Sequence, residues 1–304
     1  MQIGTSTSLF YDQSLSGMTA LSAQADKINT QISSTKRLQN TSDDVVAYQR
    51  LQTIARANAD DTAYGASITL AQGLLDQADS TLGNVMTQIQ QAQQLAVQAG
   101  NGTMTDANRA DAATQLKTIV NQLVSLANTR DSRGQPLFGA ATGDSAVTQA
   151  ADGSVSFTGT GTPAAIPIAD GQSIQATDSA QNVFGVTTAG GQTDVFAIIN
   201  KLADALNAGG DVSGAIGEAT DALNAAVTQI SSAQASVGAR GARLDLQAAQ
   251  VKDAATNRET ERSALEDTDI PTAVIQLQKT MTILQATQAS FTRLSSLSLF
   301  DYLK

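Results

Sequence analysis

Residues 216–265 read IGEATDALNAAVTQISSAQASVGARGARLDLQAAQVKDAATNRETERSAL, and their spacing decides the architecture. Counting in sevens from Ile216 gives Leu223, Ile230, Val237, Leu244, Val251, Arg258 and Leu265, apolar at every step except Arg258. A seven-residue repeat held over eight positions predicts one helix that keeps a single edge against a partner helix. At 1.5 Å per residue that helix runs for roughly 75 Å.

The partner edge lies upstream. Ile68, Leu75, Leu82, Ile89 and Ala96 form one seven-residue series; Ala71, Ala78, Val85, Ala92 and Ala99 form the companion. Together they make an a/d seam in which one register holds small residues, so the helices can approach closely. The seam ends at Gly100-Asn101-Gly102, a C-cap and turn signal. Thr105 is placed to cap the next helix, and Asp106 suits its positive end. That helix carries Leu116, Ile119, Val120, Leu123 and Leu126 on one face and stops before the turn-rich stretch 131–136.

The outer segments repeat the pattern. Leu15, Met18, Leu21, Ala25, Ile28 and Ile32 are spaced by threes and fours, and a polar break at 39–44 follows. At the other end Asp269 caps a helix with Pro271 just inside its first turn; Val274, Leu277, Met281, Leu284, Phe291 and Leu294 form its stripe. Isolated by breaks on their inner sides, both terminal stripes need a partner for their apolar faces, and they can pair with each other.

Between the helical flanks the composition shifts. Three of the four prolines and fourteen of the 23 glycines fall between 134 and 217, and no Lys or Arg occurs between Arg133 and Lys201. Short runs such as Val155-Ser156-Phe157 and Val183-Phe184-Gly185-Val186, separated by glycines, predict a small β-rich module over 141–193. With both seams outside it, replacing it by a short linker is expected to leave the helices standing.

Composition excludes whole classes of chemistry. The chain has no Cys, His or Trp, which removes disulfides, thiolate and imidazole catalysis, and ordinary zinc sites. Lys and Arg number 18 against 28 Asp and Glu, a net charge of −10, which argues against nucleic-acid binding. The start, MQIGTSTSLF, has neither a basic nor an apolar signal region, and no run of about 18 apolar residues exists to span a membrane. A cytosolic chain is the default reading, unless export leaves the N-terminus uncleaved. Asp43/Asp44, Asp60/Asp61 and Asp267/Asp269 are the candidate cation pairs, but none has the spacing of a calcium loop, and Asp43 and Asp269 stand where helix caps belong. Gly159-Thr160-Gly161-Thr162 lacks the rest of a phosphate-loop motif, and no motif frames a Ser–Lys nucleophile. No catalytic, cofactor or metal site is assigned.

Several segments resemble the flagellin superfamily of bacterial axial proteins. Ile32-Ser33-Ser34-Thr35-Lys36-Arg37-Leu38 with Ser42-Asp43-Asp44 resembles its "LSSGKR…SDD" region, with Thr35 where the family has Gly and Val45 where it often has Pro. Residues 95–103, LAVQAGNGT, resemble "LAVQA-NGT". Ala127-Asn128-Thr129-Arg130-Asp131 with Leu137-Phe138-Gly139 is similar to "ANTRD…LFSG", which in hook-associated members leads into a β-hairpin. Residues 294–303, LSSLSLFDYL, and Val237-Gly238-Ala239-Arg240 are similar to segments of the hook–filament junction members; filament flagellins tend to end differently.

The resemblance implies a mainly α fold: a rod of long, coiled-coil-like helices with paired terminal helices, a β-hairpin and a small β-rich inserted domain. It implies a terminal inner-tube domain from 1–42 with 266–304, a helical rod domain from 43–140 with 194–265, and an outer domain from 141–193. The expected role is structural, an adaptor at the hook–filament junction. The expected partners are copies of the chain in a helical layer, the neighbouring hook-associated protein, flagellin and an export chaperone; neither nucleic acid nor membrane is expected. Export through the flagellar type III channel, with ends disordered before assembly, goes with that role. The expected assembly residues are Leu15, Met18, Leu21, Ile28, Ile32, Val274, Leu277, Met281, Leu284, Phe291, Leu294, Leu297, Phe300 and Tyr302. The expected rod core is Ile68, Leu75, Leu82, Ile89, Ile216, Leu223, Ile230, Val237, Leu244 and Val251. Two alternatives stand beside this: a filament flagellin, and a surface-exposed binding module on 141–193. Only two aromatic rings in that window, Phe157 and Phe184, weaken sugar stacking there.

Overall fold

The computed structural model describes residues 3–139, 145–159 and 162–301. Among them seven helices form: α1 (Ile3–Ser34), α2 (Val45–Ala99), α3 (Asp106–Ala127), α4 (Ala180–Phe184), α5 (Val195–Ala208), α6 (Ser213–Glu266) and α7 (Ile270–Asp301). Six short strands accompany them: β1 (Val147–Gln149), β2 (Val155–Phe157), β3 (Ile166–Ala169), β4 (Gln172–Ile174), β5 (Gly185–Thr188) and β6 (Gly191–Asp194). The strands pair antiparallel in sequence order, as three separate two-stranded ladders. The fold is the mainly helical one expected from the seams, and the long helices end at the breaks near 39–44 and 267–271.

The chain divides into two compact units, Met1–Asp60 with Asp253–Lys304, and Asp61–Lys252. The second holds the large core. Ile68, Leu75, Leu82 and Ile89 of α2 and Ile216, Leu223, Ile230, Val237 and Leu244 of α6 are all buried, with Leu116, Ile119, Val120 and Leu123 of α3; Val251 is half-buried. Ala96, which ends the first series of α2, and Ala71, Ala78, Val85, Ala92 and Ala99, its small register, are buried too. Two hydrogen bonds between α2 and α6 fix an antiparallel register: Gln72 Nε2 donates to Asp245 Oδ1 at 2.8 Å and Gln93 Nε2 to Asn224 Oδ1 at 2.9 Å. The steps 72 to 93 and 245 to 224 are equal, three heptads on each helix. At the far end of the α2 seam, Thr105 Oγ1 caps α3 by accepting from Asn108 N–H.

The inserted strands belong to this same core, which corrects the expectation that they are dispensable. Phe184 packs edge-on to Phe138 at 5.9 Å between centroids and against Phe196 of α5 at 5.2 Å; Phe157 lies on Phe196 at 6.3 Å. Phe138, Phe184 and Phe196 are among the largest fully buried side chains. Polar ties add to the packing: Asn128 accepts from Ala146 N–H and Val147 N–H and donates to Val147 O, and Asn200 donates to Gly153 O. Arg240 of α6 donates to Gln175 O at 2.8 Å and pairs with Asp178. Gly185 is required where α4 turns into β5, because a Cβ there would collide with Gln181 O. Sequence periodicity missed this docking because the ridge is made of isolated aromatics from short, separate segments, not of a repeat.

Candidate assembly interface

The first unit is built on α1 and α7, which lie antiparallel. Tyr11 and Phe291 meet edge to face at 5.2 Å, and at the other end Thr268 N–H donates to Thr35 O at 2.9 Å. The seam alternates threes and fours on both helices. On α1 it runs through Tyr11, Ser14, Met18, Leu21, Ala25, Ile28 and Ile32; on α7 through Ala273, Leu277, Thr280, Leu284, Thr287 and Phe291. Ile28, Ala273 and Thr280 are buried and the rest half-buried. Threonine is tolerated in an apolar seam because its hydroxyl turns back onto its own helix: Thr280 Oγ1 donates to Gln276 O and Thr287 Oγ1 to Ile283 O, each at 2.8 Å. The methyl groups then remain for the partner.

The stripe read from the sequence therefore splits in two. Met18, Leu21, Ile28, Ile32, Leu277, Leu284 and Phe291 lie in the seam, whereas Leu15, Val274 and Met281 point away from it and are exposed. Val274 and Met281 share one flank of α7, and Ile275 and Ile283 are exposed elsewhere around it, so the helix keeps four uncovered apolar side chains outside the seam. The sequence signal that would have separated the two faces is the run Ala273, Thr280, Thr287, spaced by seven but too small and polar to register as a stripe. The side chains of Leu294, Leu297 and Phe300, and all of Tyr302, lie outside the described residues.

Where the helices leave the pair, a dense polar joint replaces apolar packing. Thr35 turns the chain with a φ of +59°, the left-handed conformation that glycine adopts freely. Arg37 N–H then donates to Glu266 O at 2.7 Å, and the Arg37 guanidinium to Leu265 O at 2.8 Å, which satisfies carbonyls at the end of α6. Lys36 pairs with Glu266, which Arg262 also grips, and Arg50 of α2 pairs with Glu261. The two aspartates after Ser42 divide the work. Asp44 Oδ1 accepts from Ala47 N–H at 3.0 Å and is the α2 cap. Asp43, expected at that cap, instead closes the preceding turn by accepting from Gln39 N–H and Asn40 N–H, and binds Lys27 at 2.7 Å. The Lys27 ammonium and those two amides hold the Asp43 carboxyl down at about 2. Asp269 accepts from Thr272 Oγ1 at 2.7 Å, and Asp267 from Ser263 Oγ at 2.5 Å. Four of the six candidate cation-pair carboxylates are thus committed to caps and turns.

In the second unit, a cleft of about 970 Å³ runs beneath the β5–β6 hairpin between α5 and α6. Its lining includes six alanines and no aromatic ring, and Lys201 and Glu218 pair across its exposed rim at 2.8 Å. Phe157 and Phe184, the rings that a sugar would need, are turned into the core. No described helix is long and apolar enough to cross a membrane.

Residues 6–142 match the family model for the bacterial flagellin N-terminal helical region, and residues 220–303 match that for the bacterial flagellin C-terminal helical region. The two matches together cover almost three quarters of the chain. Flagellar hook-associated protein 3 of Salmonella typhimurium is 28% identical over 320 residues, which cover 97% of this chain and 98% of that protein. Its namesake in Escherichia coli is 37% identical over 133 residues, 44% of this chain and 42% of that protein. Among solved structures, a protein assigned as flagellar hook-associated from Vibrio parahaemolyticus superposes with a TM-score of 0.68 at 20% identity, covering 74% of this chain and all of that one. FlgL of Xanthomonas campestris superposes with a TM-score of 0.63 at 16% identity, covering 69% of this chain and 99% of that one. At those identities the structural likeness speaks for the fold alone.

Proposed function

Because the chain belongs to the bacterial flagellin family, we propose that it is a structural subunit of the flagellum, an adaptor between the hook-associated zone and the flagellin filament. One observation carries the reading furthest: α7 closes a seam with α1 and still leaves Val274, Ile275, Met281 and Ile283 uncovered. A helix pair that has satisfied itself and keeps uncovered apolar side chains outside its seam has surface for further subunits. Adjacent copies, the neighbouring hook-associated protein and flagellin are the partners of this role, with an export chaperone and passage through the flagellar type III channel before assembly. Head-to-tail contacts of this kind build a helical layer from two unlike faces of one chain. The hook-associated relatives support the junction over the filament.

Deleting the gene should leave hooks intact while flagellin is made and shed into the medium, because flagellin would lack a matching surface on which to nucleate. Filaments of normal length on the deletion strain would end the adaptor reading. Immunolabelling separates the second structural reading: label confined to the hook end fits the junction, and label along the whole filament makes the chain a flagellin.

A further inference from the structure

Asn101 and Gly102 form the only Asn-Gly pair in the chain. They lie in the turn between α2 and α3, and both are exposed. Nothing stands within 4 Å of where a Cβ on Gly102 would be, and the Gly102 N–H donates to no described residue. Asn101 Oδ1 accepts two hydrogen bonds from Thr103, from its N–H at 3.2 Å and its Oγ1 at 3.0 Å. The side-chain carbonyl of Asn101 is thus polarised by two donors beside an unhindered backbone nitrogen.

We propose that Asn101-Gly102 is a self-modifying site that converts to an imide and then to an aspartyl or isoaspartyl residue, with Thr103 stabilising the charge that develops. Hydroxide takes the proton of the Gly102 N–H, and the nitrogen bonds to Asn101 Cγ. The C=O electron pair moves onto Oδ1, where both Thr103 donors already point, the arrangement of an oxyanion hole. Collapse re-forms the C=O and breaks Cγ–Nδ2; that nitrogen takes a proton from water and leaves as ammonia. Water then opens the five-membered ring. Attack at Cγ gives aspartate, and attack at the main-chain carbonyl gives isoaspartate with the backbone routed through the side chain. Water is the only co-reactant, and the net change is gain of water and loss of ammonia. Either product takes the net charge from −10 to −11 and sets the new carboxylate at the negative end of α2. The isoaspartyl form also lengthens the backbone inside the turn that Met104 N–H closes onto Asn101 O at 2.9 Å.

The test incubates the full chain in mildly alkaline buffer at growth temperature, folded and in denaturant. It follows intact mass, released ammonia and isoaspartyl content of the peptide holding residue 101. The folded chain should gain one dalton on that peptide at least as fast as the denatured chain. Thr103→Val, which removes the hydroxyl donor and keeps the N–H, should slow the folded reaction about fivefold, the worth of one neutral hydrogen bond, and leave the denatured rate unchanged. Gly102→Ala should slow both. Far-UV circular dichroism and melting curves matched to the parent show that the variants fold. A folded chain that stays unmodified while the denatured chain converts would overturn the proposal, because the turn would then protect Asn101. Equal folded rates for Thr103→Val and the parent would overturn the role of Thr103.

Discussion

Thr35 is the one described non-glycine residue with a positive φ. A β-branched side chain in the left-handed region costs about 1–2 kcal/mol, part of which glycine returns in chain entropy. Thr35→Gly should therefore stabilise the first unit by about 0.5–1 kcal/mol, read as a higher denaturant midpoint; an unmoved midpoint would mean that the neighbouring backbone carries no strain. Asp43 gives a pH signature at the same joint. Its carboxyl is lowered from 3.8 to about 2 when folded, chiefly by Lys27. A depressed acid contributes stability that is present above its unfolded value and is lost as pH falls through the folded one. Asp43→Asn should melt below the parent near neutral pH, and the gap should close as the pH falls from about 4 to about 2. A gap independent of pH would point to packing rather than charge. The sequence marked both residues, Thr35 as a departure from a glycine and Asp43 as a cap. It did not distinguish the roles of Asp43 and Asp44, because adjacent aspartates offer the same chemistry and only the chain path decides which one reaches the α2 amides.

The helices α1 and α7 present two faces, and substitutions should separate them. Leu284→Asp puts a charge into the half-buried seam and should cost about 2–3 kcal/mol, seen as loss of helicity and an earlier melt. Met281→Asp lies outside the seam, on the exposed flank it shares with Val274; it should leave the isolated chain's melt unchanged and weaken attachment of filaments to hooks. Equal effects of the two on the isolated chain would mean that the flank holding Met281 is not free. The long seams were legible because α2 and α6 repeat large aliphatics every seven residues. The α7 seam was only half legible, since Ala273, Thr280 and Thr287 carry little apolar weight and its larger outward neighbours Val274 and Met281 took their place. Docking of the inserted strands was not legible at all: Phe138, Phe157 and Phe184 are isolated aromatics in a loop or at the ends of very short elements, with no repeat to link them, and only the fold brings them together with Phe196. Phe184→Ala should cost about 3–5 kcal/mol and lower the main melting transition, as for a core aromatic. A transition at the parent's temperature would restore the insert to independence.

At the scale of the molecule, the contiguous apolar core runs from Ile68 to Leu244, wholly within Asp61–Lys252. Expressed alone, residues 61–252 should fold as one cooperative unit with most of the parent's melting enthalpy per residue. A broad, uncooperative melt would show that this core needs the terminal helices. The pairing of α1 with α7 also imposes a chronology. Tyr11 finds Phe291 only across nearly the whole length of the chain, so the seam has one of the largest sequence separations the molecule contains. Contacts of that kind close late, after local helices have formed. Wherever the chain emerges N-terminus first, α1 waits with its seam bare until α7 arrives. Throughout that wait its apolar edge can be captured by any passing helix, and the order of emergence governs which complement reaches it first.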